Sequence, residues 1–204
     1  MSRSLIVLAL IALSLTAHGS VVSQTVGEVR DHVLTSREVL INLYIESALF
    51  GAKVPPPFDA SKYHSRVSGV LLEWVVYKEA LSFNTDKIKP GVIQSSLNKV
   101  KFKWGRNSQW QKLQAEQDEL TEIIERKLRA KEFIKFKANS SVVPVSDEEA
   151  KEYYDNNQRR FGDVPFQELS ENIKAFLKKQ QLDSRLKSWF EVLQSKYQVR
   201  NHLI

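Results

Sequence analysis

The residues that could carry out acid–base or metal chemistry are few and are spread along the chain. After the first twenty residues the histidines are His32, His64 and His202, which form no pair at metal-ligand spacing. There is no cysteine, so thiolate metal sites, disulfides and cysteine nucleophiles are excluded. There is also no glycine-rich phosphate loop and no Gly-x-Ser-x-Gly turn. The sequence offers no combination of nucleophile, general base and orienting residue that would make a catalytic site. We therefore expect no enzyme, no catalytic residue, no metal and no cofactor.

A second pattern with chemical meaning is the basic segment, residues 87–112. It carries seven basic residues and no acidic one, and Phe102, Trp104 and Trp110 lie between the cations. Alternating cations and rings are typical of single-stranded nucleic-acid grooves, and the charge would also attract an anionic lipid surface. Alternatively, some of the rings line an apolar groove for a client chain. The remaining interpretation is that the tryptophans are core residues with the lysines on the solvent side.

Among these alternatives we single out a set of aromatic residues as candidate peptide contacts. Their exposure decides between a binding role and a packing role, because rings at helical spacing usually pack inward. The candidates are Phe50, Phe102, Trp104 and Trp110.

The N-terminus has the pattern of a secretory signal peptide. Arg3 precedes an apolar stretch from Leu5 to Leu15, and Ala17 and Gly19 supply small residues three and one positions before a cleavage site. The apolar stretch is shorter than the roughly 20 residues that a spanning helix needs. We expect removal of residues 1–19 and export of residues 20–204 as a soluble, periplasmic chain. This mature chain has 29 basic and 24 acidic residues, and its export argues against a nucleic-acid partner.

The rest of the chain is predicted to be mainly helical. With 42% apolar residues, 7 Gly and 6 Pro in 204 residues, disordered and collagen-like chains are excluded. Thr35–Glu38 and Ser146–Glu149 have the form of capping boxes. Apolar residues at spacings of three and four then predict helices over 36–50, 60–82, 90–104, 108–114, 116–138, 146–156 and 165–196.

Both ends of this chain are predicted to be extended. Residues 25–34 alternate as one strand with Val29 and Val33 on the same face, and the alternation of Tyr197 and Val199 predicts a terminal strand. Two short strands need partners, so the economical arrangement pairs them with each other. The expected fold is a single mainly α-helical, multi-helix domain with a long C-terminal helix and a small β-sheet joining the N- and C-terminal strands.

Two sets of residues, taken in their order along the chain, are characteristic of a known family. The first set is Val26–Val29 followed by Leu34–Val39. The second contains Glu149-Ala-Lys-Glu-Tyr-Tyr154 within 145–155, then Arg160–Gly162, Pro165–Leu169 and Trp189–Glu191. Together they resemble the N-terminal chaperone domain of SurA-type periplasmic folding factors, a family in which a parvulin prolyl-isomerase domain is inserted before the long C-terminal helix. Here only three residues separate Phe161 from Pro165, so the resemblance implies chaperone function without isomerase activity.

The resemblance implies an exported, ATP-independent chaperone that holds unfolded outer-membrane or envelope proteins. The alternative is a non-catalytic envelope adaptor that binds one specific partner. Weak contact with a membrane surface stays open because of the basic segment. Either a monomer or a domain-swapped homodimer is expected, since terminal strands and long helices exchange readily.

Overall fold

A computed structural model describes residues 23–53, 56–83, 87–140 and 144–203. The predicted signal peptide therefore lies outside the described residues. The predicted fold class is confirmed: the described chain is mainly helical, with a long C-terminal helix and a small sheet that includes an N-terminal and a C-terminal strand. The elements are, in order, β1 (Thr25–Val29), β2 (His32–Thr35), α1 (Ser36–Phe50), α2 (Ala60–Ser82), α3 (Pro90–Trp104), α4 (Ser108–Lys112), α5 (Gln117–Ser140), α6 (Asp147–Asn156), α7 (Gln158–Phe161), α8 (Phe166–Lys196) and β3 (Val199–Asn201).

The N-terminal extended segment is a hairpin, and the prediction of one strand there is wrong. The chain turns at Arg30, which adopts a left-handed conformation with φ of 50°, and β2 then pairs antiparallel with β1. Val33 is consequently paired with Glu28 and is 52% exposed, whereas Val29 is buried. These two valines do not share a face.

The predicted pairing of the two ends of the chain is confirmed. β1 is the central strand in the order β2-β1-β3, and it pairs antiparallel with β3 through Gly27 opposite Asn201 and Val29 opposite Val199. The sheet is also attached to α2, because Asn201 Nδ2 donates to Ser68 Oγ at 2.8 Å.

Two hydrophobic clusters form the core. The first joins the sheet to α1, α2, α5 and the end of α8; the second lies between α1, α3, α4 and the beginning of α5. Helices α1 and α5 contribute to both clusters and therefore connect them. The first includes Val26, Leu34, Tyr63, Val67, Leu71, Val75, Phe133 and Leu193. The second includes Ile41, Tyr44, Leu97, Val100, Trp104, Trp110, Leu120 and Ile124.

Helix α6 packs on the N-terminal half of α8, and α7 packs on α6 through the ring of Phe161, which contacts Tyr153 and Tyr154. The predicted capping box at Ser146 is present in full: its hydroxyl accepts from the backbone of Glu149, and the Glu149 carboxylate accepts from the backbone of Ser146. Lys174 of α8 pairs with Asp147 at 2.6 Å, which links α8 to the first turn of α6. At its other end, α8 is fixed to α2 because Glu79 accepts from Lys196 Nζ at 2.6 Å and from the hydroxyl of Tyr197 at 2.9 Å.

None of the described helices combines the length and hydropathy needed to cross a membrane.

Alanine at Gly27 should weaken the closure of the sheet. A Cβ at this position would lie 2.9 Å from the carbonyl oxygen of Arg200 and 3.0 Å from Leu71 Cδ1. Because both neighbours would have to move, Gly27→Ala is expected to lower the free energy of unfolding by about 1–3 kcal/mol in urea denaturation.

Gly69→Ala is the matched control, since a Cβ there meets nothing within 4 Å inside α2. It should gain up to about 1 kcal/mol from helix propensity. Wild-type stability in Gly27→Ala would contradict the close approach of β3 and α2 to β1.

Candidate functional site

The two candidate tryptophans are buried in the second cluster. Trp104 is 7% exposed and Trp110 is 9% exposed, and their rings meet the ring of Tyr44 edge-on at 5.1 and 5.4 Å. The indole of Trp104 also donates to the backbone carbonyl of Tyr44 at 3.0 Å. For this pair the core interpretation applies: they anchor α3 and α4 on α1, and a peptide could reach neither ring without displacing the core.

The two candidate phenylalanines lie at the surface. Phe102 is 95% exposed on α3 and Phe50 is 42% exposed at the end of α1. The ring of Phe50 is covered in part by Lys131, whose Nζ lies 3.8 Å from the ring centroid in a cation–π contact. Both rings are accessible, and Phe102→Ser tests the sequence-based expectation of peptide contact at Phe102 below.

A second group of aromatic residues, which the sequence did not single out as a surface, lies where α2, α5 and α8 meet. Phe83, Phe133, Phe136, Trp189 and Phe190 form this aromatic patch. The buried ring of Phe133 is central, with Phe83, Phe136 and Trp189 at centroid distances of 5.3, 5.9 and 5.9 Å. Trp189 in turn contacts Phe190 at 5.1 Å. Phe83 and Phe136 are each 56% exposed, so the patch presents ring surface to solvent.

The local sequence explains how the helices position this patch. Phe83 immediately follows α2, and its backbone N–H donates to the carbonyl of Glu79 as the helix ends. Phe133 and Phe136 are three residues apart on α5 and therefore lie on neighbouring parts of one helix face. Lys137 Nζ lies 5.6 Å from the ring centroid of Trp189, which places a cation at the border. Such a surface can bind apolar and aromatic side chains of another chain.

A buried charge network holds α5 against α1 and α2. Arg126, 3% exposed, pairs with Glu38 of α1 and Glu73 of α2, each at 2.9 Å. Glu73 also accepts from Lys127 Nζ at 2.7 Å and from Asn42 Nδ2 at 2.8 Å. Since a buried charge is costly unless it is paired, these contacts fix the position of α5.

An aromatic ring and a histidine complete the network. The guanidinium carbon of Arg126 lies 4.1 Å from the ring centroid of Trp74, and the Trp74 indole donates to Glu38 at 2.8 Å. His32 stacks on Trp74 at 3.9 Å and hydrogen-bonds Glu38 at 2.9 Å. The Thr35 capping box is therefore only half formed. Thr35 accepts from the backbone of Glu38, but the carboxylate is used in the network.

Two cavities flank this network. One, of about 530 Å³, lies beside α1 and α2 and is lined by Asn42, Glu46, Lys53, Arg66, Glu73 and Lys127, among others. The other, of about 460 Å³, is lined by His32, Glu38, Trp74, Glu122, Glu125 and Arg126, among others. Several of these charged groups already pair with one another. Within the described ranges there is no group of His, Cys, Asp or Glu that could hold a metal ion.

No known protein-family model and no curated protein sequence matches the chain.

The charge network should make folding stability depend on acid pH through Glu38. Burial would raise the pKa of Glu38, but the hydrogen bond from His32 and the charge of Arg126 outweigh it and hold the pKa below its ordinary value of 4.5. The stabilisation is therefore present above the unfolded pKa and is lost as the pH falls through the folded pKa. In urea denaturation between about pH 6 and about pH 3, wild type should lose more stability than Glu38→Gln.

Glu171→Gln is the control, because Glu171 is an exposed carboxylate of α8 with 87% side-chain exposure. It should follow the wild-type pH dependence. Equal pH dependence of wild type and Glu38→Gln would contradict a stabilising ionised Glu38.

Proposed function

We propose that the protein is an exported, ATP-independent chaperone that holds unfolded outer-membrane or other envelope proteins, without isomerase activity. The observation that carries this proposal is the aromatic patch. Phe83 and Phe136 are both more than half exposed and pack on the ring of Phe133. Contiguous exposed apolar surface of this kind marks an interaction site in many soluble proteins.

The chemistry of the patch fits the proposed clients. Strands of outer-membrane barrels alternate apolar and polar residues and carry girdles of aromatic residues. Before insertion, such segments expose surfaces that aggregate edge to edge. Rings on the chaperone can cover the apolar and aromatic positions by stacked and edge-on contacts. Binding through a few rings is weak enough for release by competition, which suits a compartment without ATP.

The sequence supports the same proposal in three further respects. The predicted signal peptide would direct the chain out of the cytoplasm, and the resemblance to the SurA-type N-terminal domain implies a chaperone of the periplasm. The residues of that resemblance belong to the hairpin β1–β2, to the beginning of α1, to α6, to α7 and to α8, together with turn residues next to these elements. The net positive charge of the mature chain would also raise the encounter rate with acidic clients.

Removing the exposed rings of the patch should weaken client holding without unfolding the protein. In the double variant Phe83→Ser/Phe136→Ser both lost rings are already 56% exposed, so the free energy of unfolding should change by less than about 2 kcal/mol. The measurement is light scattering of an unfolded barrel protein diluted from urea. Wild type should suppress aggregation near equimolar ratio, and the double variant should need at least about tenfold more protein, since two apolar contacts are lost.

Phe102→Ser is the matched control, because it removes a 95% exposed phenylalanine from a different surface. We expect it to suppress aggregation like wild type. If Phe102→Ser lost the activity and Phe83→Ser/Phe136→Ser kept it in full, clients would bind on α3 and not on the aromatic patch. If wild type fails to slow aggregation and instead captures one folded partner at fixed stoichiometry, the adaptor alternative replaces the chaperone.

A further inference from the structure

Helix α3 carries a surface that the aromatic patch does not explain. Residues at spacings of three and four place Val92, Lys99, Phe102 and Arg106 along one side of the helix and its following turn. All four are exposed, whereas the other side of α3 is packed into the second cluster through Leu97, Val100 and Trp104. We name the exposed side, with the flanking Lys101 and Lys103, the basic face.

The positive charge of the basic face is not neutralised locally. From residue 87 to residue 115 the sequence contains seven basic residues and no acidic one. Lys101 and Lys103 are tethered to neutral oxygens, those of the Gln117 side chain and the Ser47 backbone, each at 2.7 Å. Within the part of the chain that the structure describes, Lys99 and Arg106 form no ion pair. The face therefore presents to solvent cations that have no carboxylate partner among the described residues.

Phe102 is the second component of the basic face. At 95% exposure it is the most exposed of the large apolar side chains in the described ranges. It lies between Lys99, three residues before it, and Arg106, four residues after it, so cations flank the ring along the helix. If the lysines only kept this side of the helix solvated, an exposed aromatic ring among them would have no role. An apolar side chain between cations is typical of helices that lie in the interface of an anionic membrane.

The burial of the tryptophans separates this surface from a nucleic-acid groove. Binding of single strands needs several exposed rings on which successive bases stack. In the basic segment Trp104 and Trp110 are 7% and 9% exposed, which leaves Phe102 as the exposed ring between the cations. The surface offers one apolar insertion point surrounded by positive charge.

We propose that the basic face docks on the surface of an anionic phospholipid bilayer. Lys99 and Arg106 contact lipid phosphates, and the ring of Phe102 enters the boundary between headgroups and acyl chains. The contact is weak and reversible, because one ring and a few cations supply it. It is independent of client holding, since the aromatic patch lies on other helices.

The test is co-sedimentation of the mature chain, residues 20–204, with vesicles of phosphatidylglycerol and phosphatidylcholine. This chain includes every described residue. Wild type should bind these vesicles, should not bind pure phosphatidylcholine, and should release as salt screens the charges. Lys99→Gln/Arg106→Gln should weaken binding by on the order of 20-fold, since each cation near the surface contributes about fivefold. The matched control, Lys178→Gln/Lys179→Gln, removes two exposed cations from α8 and should have less than about a threefold effect.

The apolar contact is tested separately. Phe102→Ser should weaken vesicle binding by about tenfold or more through loss of one buried ring, whereas Phe136→Ser should leave it unchanged. Brominated lipid should quench a larger fraction of the tryptophan fluorescence in Phe102→Trp than in wild type, whose fluorescence comes from its four native tryptophans. Thermal unfolding in the absence of lipid should be the same for wild type and for the variants at Lys99, Phe102, Arg106, Lys178 and Lys179, because these side chains are exposed.

Four results would overturn the proposal. If Lys99→Gln/Arg106→Gln and Lys178→Gln/Lys179→Gln lost vesicle binding equally, only the net charge of the protein would matter and not the basic face. If Phe102→Ser bound vesicles like wild type, the ring would not be part of the contact. If wild type bound neutral and anionic vesicles equally, the headgroup charge would not be part of it. Binding to an oligodeoxythymidine strand without vesicle binding would assign the face to nucleic acid. Aggregation suppression by Phe102→Ser distinguishes failure of this proposal from failure of the chaperone proposal.

Discussion

The arrangement of the helices depends on the ion pairs that the buried guanidinium of Arg126 forms. Its charge can stay in the interior only if partners surround it. Glu38 supplies a partner from α1 and Glu73 supplies one from α2, each at 2.9 Å. Among the described residues Nη2 of Arg126 has no hydrogen-bond partner, but the cation lies over the face of Trp74, whose quadrupole compensates in part. Because all three helices must meet at one side chain, the orientation of α5 is fixed, and with it the position of every residue further along α5.

Helix α5 connects the two surfaces to which we assign binding. Leu120 and Ile124 near its beginning belong to the second cluster, which supports α3 and the basic face. Phe133, about 20 Å beyond Leu120 along the helix axis, belongs to the first cluster and supports the aromatic patch. Each surface therefore has its own core behind it. A substitution in one exposed surface need not disturb the other, which allows client holding and lipid contact to act independently.

The sequence predicted the helices well because their signals are local. The caps at Thr35 and Ser146 and the spacing of apolar residues are read within a few turns, and the predicted bounds of α1, α2 and α3 agree with the structure. The hairpin was missed because its turn is at Arg30, where no glycine or proline interrupts the alternation. The partner of Glu38 could not be predicted, since Arg126 is far away in sequence. The aromatic patch was missed for the same reason: Phe83 and Phe136 are brought together by tertiary packing, and periodicity does not distinguish the edge of a core from its centre.

The pairing of β1 with β3 has a consequence for the order in which the molecule can be made. Gly27 is among the first described residues and Asn201 is among the last, yet they are neighbours in one sheet. Contacts between such distant residues close a very long loop and form late in folding. A nascent chain that has extended through α5 can assemble much of both clusters, but β1 still has an open edge. The native sheet is completed only after synthesis has reached the final strand.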